Sequence, residues 1–163
     1  MDMKSLCIAA TAIVVLPASA SSAAAQEIAY TFTCQDVGTD PPEALGDREG
    51  HSISINVASS HSESEPMSGA VLTGTTIWEW NGPNAVLLSS NGVIRKPGAT
   101  VVYQNTGGSL ALTMTEGKVT GFTASGKGDE KLATGSLAML AGKPYTWTTK
   151  PAGPGQFTLE VKQ

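Results

Sequence analysis

Two tryptophans in one predicted strand are the side chains best suited to bind a ligand. Trp78 and Trp80 lie two residues apart within 70–80, and alternate residues of a strand face the same side, so their rings stand about 7 Å apart. That spacing suits a platform for a flat molecule, and it equally suits a packed β-protein core. In a closed barrel the mouth is a favoured pocket site. The sequence then predicts a pocket lined by Trp78, Trp80, Tyr103, Tyr145 and Trp147, with Arg95 or Glu79 as its polar anchor.

The residues best placed for proton transfer are His51 and the carboxylates near it. His51 follows Asp47 and Glu49 closely in the chain, and histidine changes charge near neutral pH. Glu79 is turned away from the tryptophans by strand alternation, so it shares their pocket only if Gly74 or Gly82 marks a bulge. The G-x-S-x-G and H-E-x-x-H motifs and the phosphate-binding glycine loop are absent. The sequence therefore predicts no catalytic residue, no metal ligand and no cofactor.

Acidic residues are concentrated in the first half of the chain. Residues 26–80 hold nine acids and one base, whereas residues 81–163 hold four acids and eight bases. Exposed charged loops that aid solubility explain this distribution. The alternative is that the acidic loop 36–49 binds calcium through its carboxylates, although its spacing matches no calcium loop. The bases are scattered rather than clustered with aromatics, so no nucleic-acid partner is predicted.

The elements that would position these groups are β-strands. Polar and apolar residues alternate in several segments, which are 28–34, 51–57, 70–80, 110–115, 118–124, 145–149 and 156–162. Turn residues separate the segments, and helical periodicity is almost absent. This pattern predicts an all-β fold, a small antiparallel barrel or barrel-like sandwich of about 8–10 short strands with mostly meander connections.

Alternation also predicts which side chains face the core. The predicted inward residues of three strands are Tyr30, Phe32 and Cys34, then Ile53, Ile55 and Val57, and finally Phe157, Leu159 and Val161. Asn91-Gly92 predicts a hairpin turn between 85–88 and 93–96, and Glu116-Gly117 predicts a second.

Three further segments have weaker signals. Asp40-Pro-Pro-Glu43, followed by Gly46, predicts one helical turn. Residues 126–131 are interpreted as a polar loop. Residues 132–141 fit either a strand or a short helix capped by Ser136, and we favour a strand because Thr134 and Gly135 disfavour a helix.

The first 25 residues have the order of a secretory signal peptide. Lys4 precedes an apolar run at 6–16 and a string of alanine and serine that ends before Gln26. The run is too short to span a bilayer, and a buried N-terminal helix is the alternative. We therefore expect an exported protein, periplasmic or extracellular, with residues 26–163 forming one all-β domain that does not span a membrane.

Cleavage at this point would leave one cysteine, Cys34. No disulfide can then form within the chain. We expect Cys34 to be buried as a small apolar side chain, with a nucleophilic or dimer-bridging role as the alternative.

Three functional hypotheses follow from these features. The first is a non-enzymatic β-domain that binds a small apolar or aromatic molecule, or a partner protein, at its barrel mouth. The second is a cofactor-free lyase, isomerase or hydrolase that uses His51 with Asp47 or Glu79. The third is a structural or adhesive protein that adds strands at the edge 157–162.

Overall fold

Eight antiparallel strands close into a barrel in the computed structural model, which describes residues 27–163. In chain order the elements are β1 (Ala29–Thr39), β2 (Glu43–Ala44), β3 (His51–His61), β4 (Val71–Asn81), β5 (Asn84–Lys96), β6 (Ala99–Thr115), β7 (Lys118–Ala133), a 3-10 helix (Gly135–Leu140), β8 (Pro144–Gly153) and β9 (Gln156–Lys162). From β3 to β9 each strand pairs with the next, and β1 pairs with both β9 and β3, which closes the ring. The two-residue β2 pairs with β3 alone. The predicted all-β barrel is confirmed, whereas the predicted signal peptide at 1–25 lies outside the described residues.

The last strand has hydrogen-bonded neighbours on both sides. β9 pairs along its length with β8 and with β1. The segment 157–162 is therefore not a sheet edge, and the proposed site of strand addition is wrong as a description of this strand.

Strand alternation places the expected side chains inside the barrel on β1 and β9. Tyr30, Phe32 and Cys34 are all buried, as is Val161. Phe157 and Leu159 face the same interior from β9 and are half-buried. On these two strands the inward face is confirmed.

On β3 the inward face is the opposite of the one predicted. Ser54 and Ser60 are buried, whereas Ile55 is 41% and Val57 37% exposed on the outer wall. Ser54 accepts a hydrogen bond from the indole Nε1 of Trp80, 2.8 Å away, which explains why a hydroxyl faces inward here. Periodicity shows that residues alternate between two faces but not which face is buried, and the interior of this barrel is partly polar.

One end of the barrel is closed by a plug. The 3-10 helix places Leu137 and Leu140 inside with 1% and 0% exposure, and the loop between β3 and β4 adds Met67 at 0%. Of the segment 132–141, only 132–133 belongs to a strand, so the favoured strand interpretation is wrong for 135–140. The opposite end carries the tight turns at 82–83, 116–117 and 154–155 together with the long loop 40–50. We call these the closed end and the open end.

One of the two predicted hairpin turns is not a turn. Asn91 and Gly92 lie inside the continuous strand β5, and the turns on either side of it use Gly82 and Gly98, which both have positive φ. Gly92 instead gives space to Tyr103, because an added Cβ would meet the Tyr103 hydroxyl at 2.6 Å. The hairpin at Glu116-Gly117 is confirmed by the pairing of β6 with β7.

The other two weak segments are also extended. Glu43 and Ala44 form β2 rather than a helical turn, because they pair with Ile53 and Ser52. Residues 126–131 belong to β7 and not to a loop. Glycine and charged residues are typical of loops, but the glycines of this segment make room for aromatic side chains of a neighbouring strand.

Glycines on the inner wall accommodate aromatic side chains of neighbouring strands. The Trp147 ring lies against Gly126 and Gly108, and the Tyr145 ring lies against Gly128, so that a Cβ at any of these glycines would overlap the ring. Tyr103 is accommodated in the same way by Gly74. Because these rings lie against the wall, the centre of the barrel is left open.

Replacing Gly126 by valine is expected to destabilise the fold by about 1–3 kcal/mol, because the new side chain would overlap the Gly107 carbonyl oxygen and the Trp147 ring. The matched control is Ser125→Val, on the exposed outer face of the same strand, where a change of at most about 0.5 kcal/mol is expected. Urea unfolding followed by circular dichroism measures both. Equal stabilities for the two variants would show that Trp147 does not need the glycine.

Candidate functional site

The barrel encloses a cavity of about 290 Å³. Every tryptophan, tyrosine and phenylalanine of the chain lines it, and these nine residues are Tyr30, Phe32, Trp78, Trp80, Tyr103, Phe122, Tyr145, Trp147 and Phe157. Packed protein interiors leave few voids larger than a water molecule. The aromatics therefore surround a space and do not fill it.

The cavity opens at the end that carries the tight turns. Inward-facing Phe122 and Phe157 lie at that end with their ring centroids 6.3 Å apart, and both are only half-buried. Leu110 and Leu112 beside them are also half-buried, whereas Phe32 is completely buried. The mouth is therefore mainly apolar, with the exposed Asp36 beside it, and the plug closes the base.

Deeper in the cavity a chain of hydrogen bonds connects side chains of four strands, β8, β6, β5 and β4. Tyr145 Oη donates to Asn105 Oδ1 at 2.7 Å, and Asn105 Nδ2 donates to Ser90 Oγ at 2.9 Å. Ser90 Oγ lies 3.0 Å from the hydroxyl of Thr76. These bonds hold the polar groups of one cavity wall in fixed positions.

Glu130 is the most unusual group in the cavity. Its side chain is 1% exposed and lines the space. Tyr30 Oη donates to Glu130 Oε1 at 2.6 Å, whereas Oε2 has no hydrogen-bond partner among residues 27–163. Burial raises the pKa of this carboxyl to about 7, and the Tyr30 hydrogen bond opposes that rise. The cavity thus contains a carboxyl that titrates near neutral pH and has one oxygen unsatisfied.

Sequence reasoning missed Glu130 because it lies in a segment interpreted as a loop. The signal was present: Phe122, Ala124 and Glu130 are separated by even numbers of residues, and Gly126 and Gly128 lie between them. Continuing the strand through the glycines would have placed Glu130 on the inner wall.

All five aromatic residues predicted to line the pocket lie together. Trp78, Trp80, Tyr103, Tyr145 and Trp147 all line the cavity. Arg95 does not, because its neighbour Ile94 faces inward and Arg95 is exposed on the outer wall.

The proposed acid–base residues also come together, but outside the barrel. His51 Nδ1 lies 2.5 Å from Asp47 Oδ1, and His51 Nε2 lies 2.8 Å from Glu79 Oε1. None of the three residues lines the cavity. An ionised carboxylate only accepts hydrogen bonds, so the ring can donate to both carboxylates only in its charged form. The cluster fastens the loop 40–50 to the outer face of β4.

Attachment of this loop is expected to weaken as pH rises. The hydrogen bonds to Asp47 and to Glu79 raise the pKa of His51, and nearby Arg48 opposes the rise. Because the folded pKa is above the unfolded value of about 6.5, the stabilisation is complete below that value and is lost as pH rises through the folded pKa. Hydrogen exchange of the Leu45 amide, which donates to the His51 carbonyl, should show falling protection over this range after correction for intrinsic rates.

The matched control for that measurement is the second histidine. His51→Gln should remove the pH dependence of Leu45 protection, whereas His61→Gln, at an exposed position, should preserve it. Unchanged pH dependence in His51→Gln would contradict the assignment.

No family model, curated protein or solved structure matches this chain. Within 27–163, no group of three or more His, Cys, Asp or Glu side chains is arranged to hold a metal ion. The helical part of this same region includes no segment long and apolar enough to cross a bilayer.

Proposed function

We propose that this protein is exported and binds a small, mainly apolar or aromatic molecule inside its barrel, without catalysing a reaction on it. The observation that carries the proposal is the open space of about 290 Å³ surrounded by all nine aromatic side chains. Such a volume is at the lower end of the range of roughly 300–1,000 Å³ found for small-molecule pockets. The ligand is accordingly small.

The polarity of the cavity supports the same proposal. Small-molecule sites combine apolar walls with a few fixed polar groups. Here the apolar mouth contains Leu110, Phe122 and Phe157, and the deeper wall carries the Tyr145–Asn105 hydrogen bond and Glu130. A molecule with an apolar body and one polar end fits that gradient, with its polar end deepest.

The three tryptophans provide the test. Trp78, Trp80 and Trp147 all line the cavity, so a bound aromatic molecule changes their emission. Titration with the uncharged probe N-phenyl-1-naphthylamine is expected to quench tryptophan fluorescence saturably, with one probe per chain.

A cavity-blocking variant locates the probe. Ala58 lines the cavity opposite Gly74, and Ala58→Phe should fill the space and abolish the saturable signal. Ile55→Phe, on the exposed outer face of the same strand, should bind as the wild type does. Saturable binding by both variants would place the probe outside the barrel and contradict the proposal.

A further inference from the structure

We propose that the molecule bound in the cavity carries a protonated amine, and that this amine binds to Glu130. This inference rests on the proposed function, because it specifies the ligand of the same cavity. It is carried by three independent features, namely the charges of the lining, the unsatisfied carboxylate oxygen and the tyrosines around it.

The charged side chains that line the cavity are all acidic. Asp36 lies towards the open end and Glu130 towards the base, and no Lys, Arg or His is among the lining residues of the described chain. An anionic ligand would meet repulsion from both carboxylates, and an uncharged one would leave the charge of ionised Glu130 uncompensated. A cation is the only ligand charge that this lining compensates.

When Glu130 is ionised, its Oε2 needs a hydrogen-bond donor. It is fully buried and has no partner among residues 27–163, whereas Oε1 already accepts from Tyr30. An unpaired buried carboxylate is costly, and a charged N–H donor supplies both the missing hydrogen bond and the opposite charge. This favours an amine with at least one N–H over a quaternary ammonium, which has none.

Three tyrosines surround the same position. Tyr30 donates a hydrogen bond to Glu130, and Tyr103 of β6 is paired with Glu130 in the sheet. Tyr145 of β8 is paired with Gly128, two residues before Glu130 on β7. All three line the cavity. Cations bind favourably over aromatic faces, and desolvation strengthens the interaction. The amine site therefore combines a carboxylate with aromatic walls.

Binding should release a proton near neutral pH. Burial raises the pKa of Glu130 to about 7, so this group is partly protonated there, and the amine requires its ionised form. The other titratable groups facing it do not ionise in this range, because burial raises the pKa of Cys34 to about 11 and that of Tyr30, Tyr103 and Tyr145 still further. Affinity for an amine should rise as pH increases through about 7.

The experiment compares 2-phenylethylamine with 2-phenylethanol, which has the same body and an uncharged end, by calorimetric titration. At pH 8 the wild type should bind the amine at least about tenfold more tightly, as expected for a charge-assisted hydrogen bond. At pH 6.5 the measured enthalpy for the amine should vary with the ionisation enthalpy of the buffer, as proton release requires. Phenylacetate, the anionic counterpart, should not bind.

Two variants complete the test. Glu130→Gln should bind amine and alcohol about equally, whereas Asp129→Asn, at the adjacent position where Asp129 pairs with Lys131, should keep the preference. Binding of N-phenyl-1-naphthylamine by Glu130→Gln shows that the variant is folded. If the wild type binds the probe and the alcohol but shows no preference for the amine, or if Glu130→Gln retains the preference, this inference is overturned and the proposed function stands. If none of these compounds enters the barrel, both fail.

Discussion

Replacing Glu130 by glutamine is expected to make the protein more stable relative to the wild type as pH rises, although most substitutions of buried residues are destabilising. The wild-type carboxyl has a pKa raised by burial from 4.5 to about 7. Between these values the unfolded chain has lost this proton while the folded chain still holds it, so the free energy of unfolding falls as pH rises. Above about 7 both states are ionised, and the folded state contains a buried charge that glutamine lacks.

The size of this effect follows from the shift of the pKa. The difference in unfolding free energy between Glu130→Gln and the wild type should change by roughly 3 kcal/mol in favour of the variant from pH 4 to pH 8. Because only the change of the difference with pH is used, the cost of placing an amide at this position cancels. Urea unfolding at a series of pH values measures it.

Asp129→Asn is the control, since Asp129 is at the adjacent position and partly exposed. Its stability should follow the wild-type pH dependence. Parallel stability profiles for Glu130→Gln and the wild type would show that Glu130 ionises as easily in the folded chain as in the unfolded one, and would contradict the buried site described here.

Loss of the plug is the second large effect expected. Leu140→Ala should destabilise the protein by about 2–5 kcal/mol, because it removes a completely buried side chain and leaves a void at the closed end. Met139→Ala, next to it on the same 3-10 helix but 55% exposed, should change stability by at most about 0.5 kcal/mol. Denaturant midpoints for the two variants give the comparison. Similar midpoints would mean that the helix rests on the barrel without sealing it.

The class of fold was predictable because it depends on periodicity. Alternation at 28–34 and 156–162 gave both the strands and their inward residues, and the meander followed from the short connections. On β3 the same alternation gave the wrong inward face, since Ile55 and Val57 are more apolar than Ser54 and Ser60. A barrel with polar groups in its interior breaks the rule that the apolar face is the buried one.

Glycine caused most of the remaining errors. Gly92 and Gly126 were interpreted through their conformational freedom, which suggests turns and loops. In the folded protein these glycines are needed because they have no side chain: Tyr103 and Trp147 occupy the space that a side chain would fill. Such a role depends on residues of neighbouring strands, so it was not visible from local sequence. Glu130 was overlooked for the same reason.

The aromatic residues of the site were predictable and its chemistry was not. Trp78 and Trp80 fall on a predicted strand, and a closed barrel brings them together with Tyr103 and Trp147. The position of the carboxyl group at the closed end of the cavity depends on strand register. This register pairs Glu130 with Tyr103 and places Tyr30 within hydrogen-bonding distance of Glu130. Register between distant strands is set by the whole barrel.

The most direct test of the central claim is a crystal of this protein soaked in iodobenzene, with the iodine located by its anomalous scattering. A hollow barrel with an open apolar mouth predicts an iodine peak inside, between Trp78, Trp147 and Phe157. An interior filled by these side chains, with no iodine among them, would contradict the account.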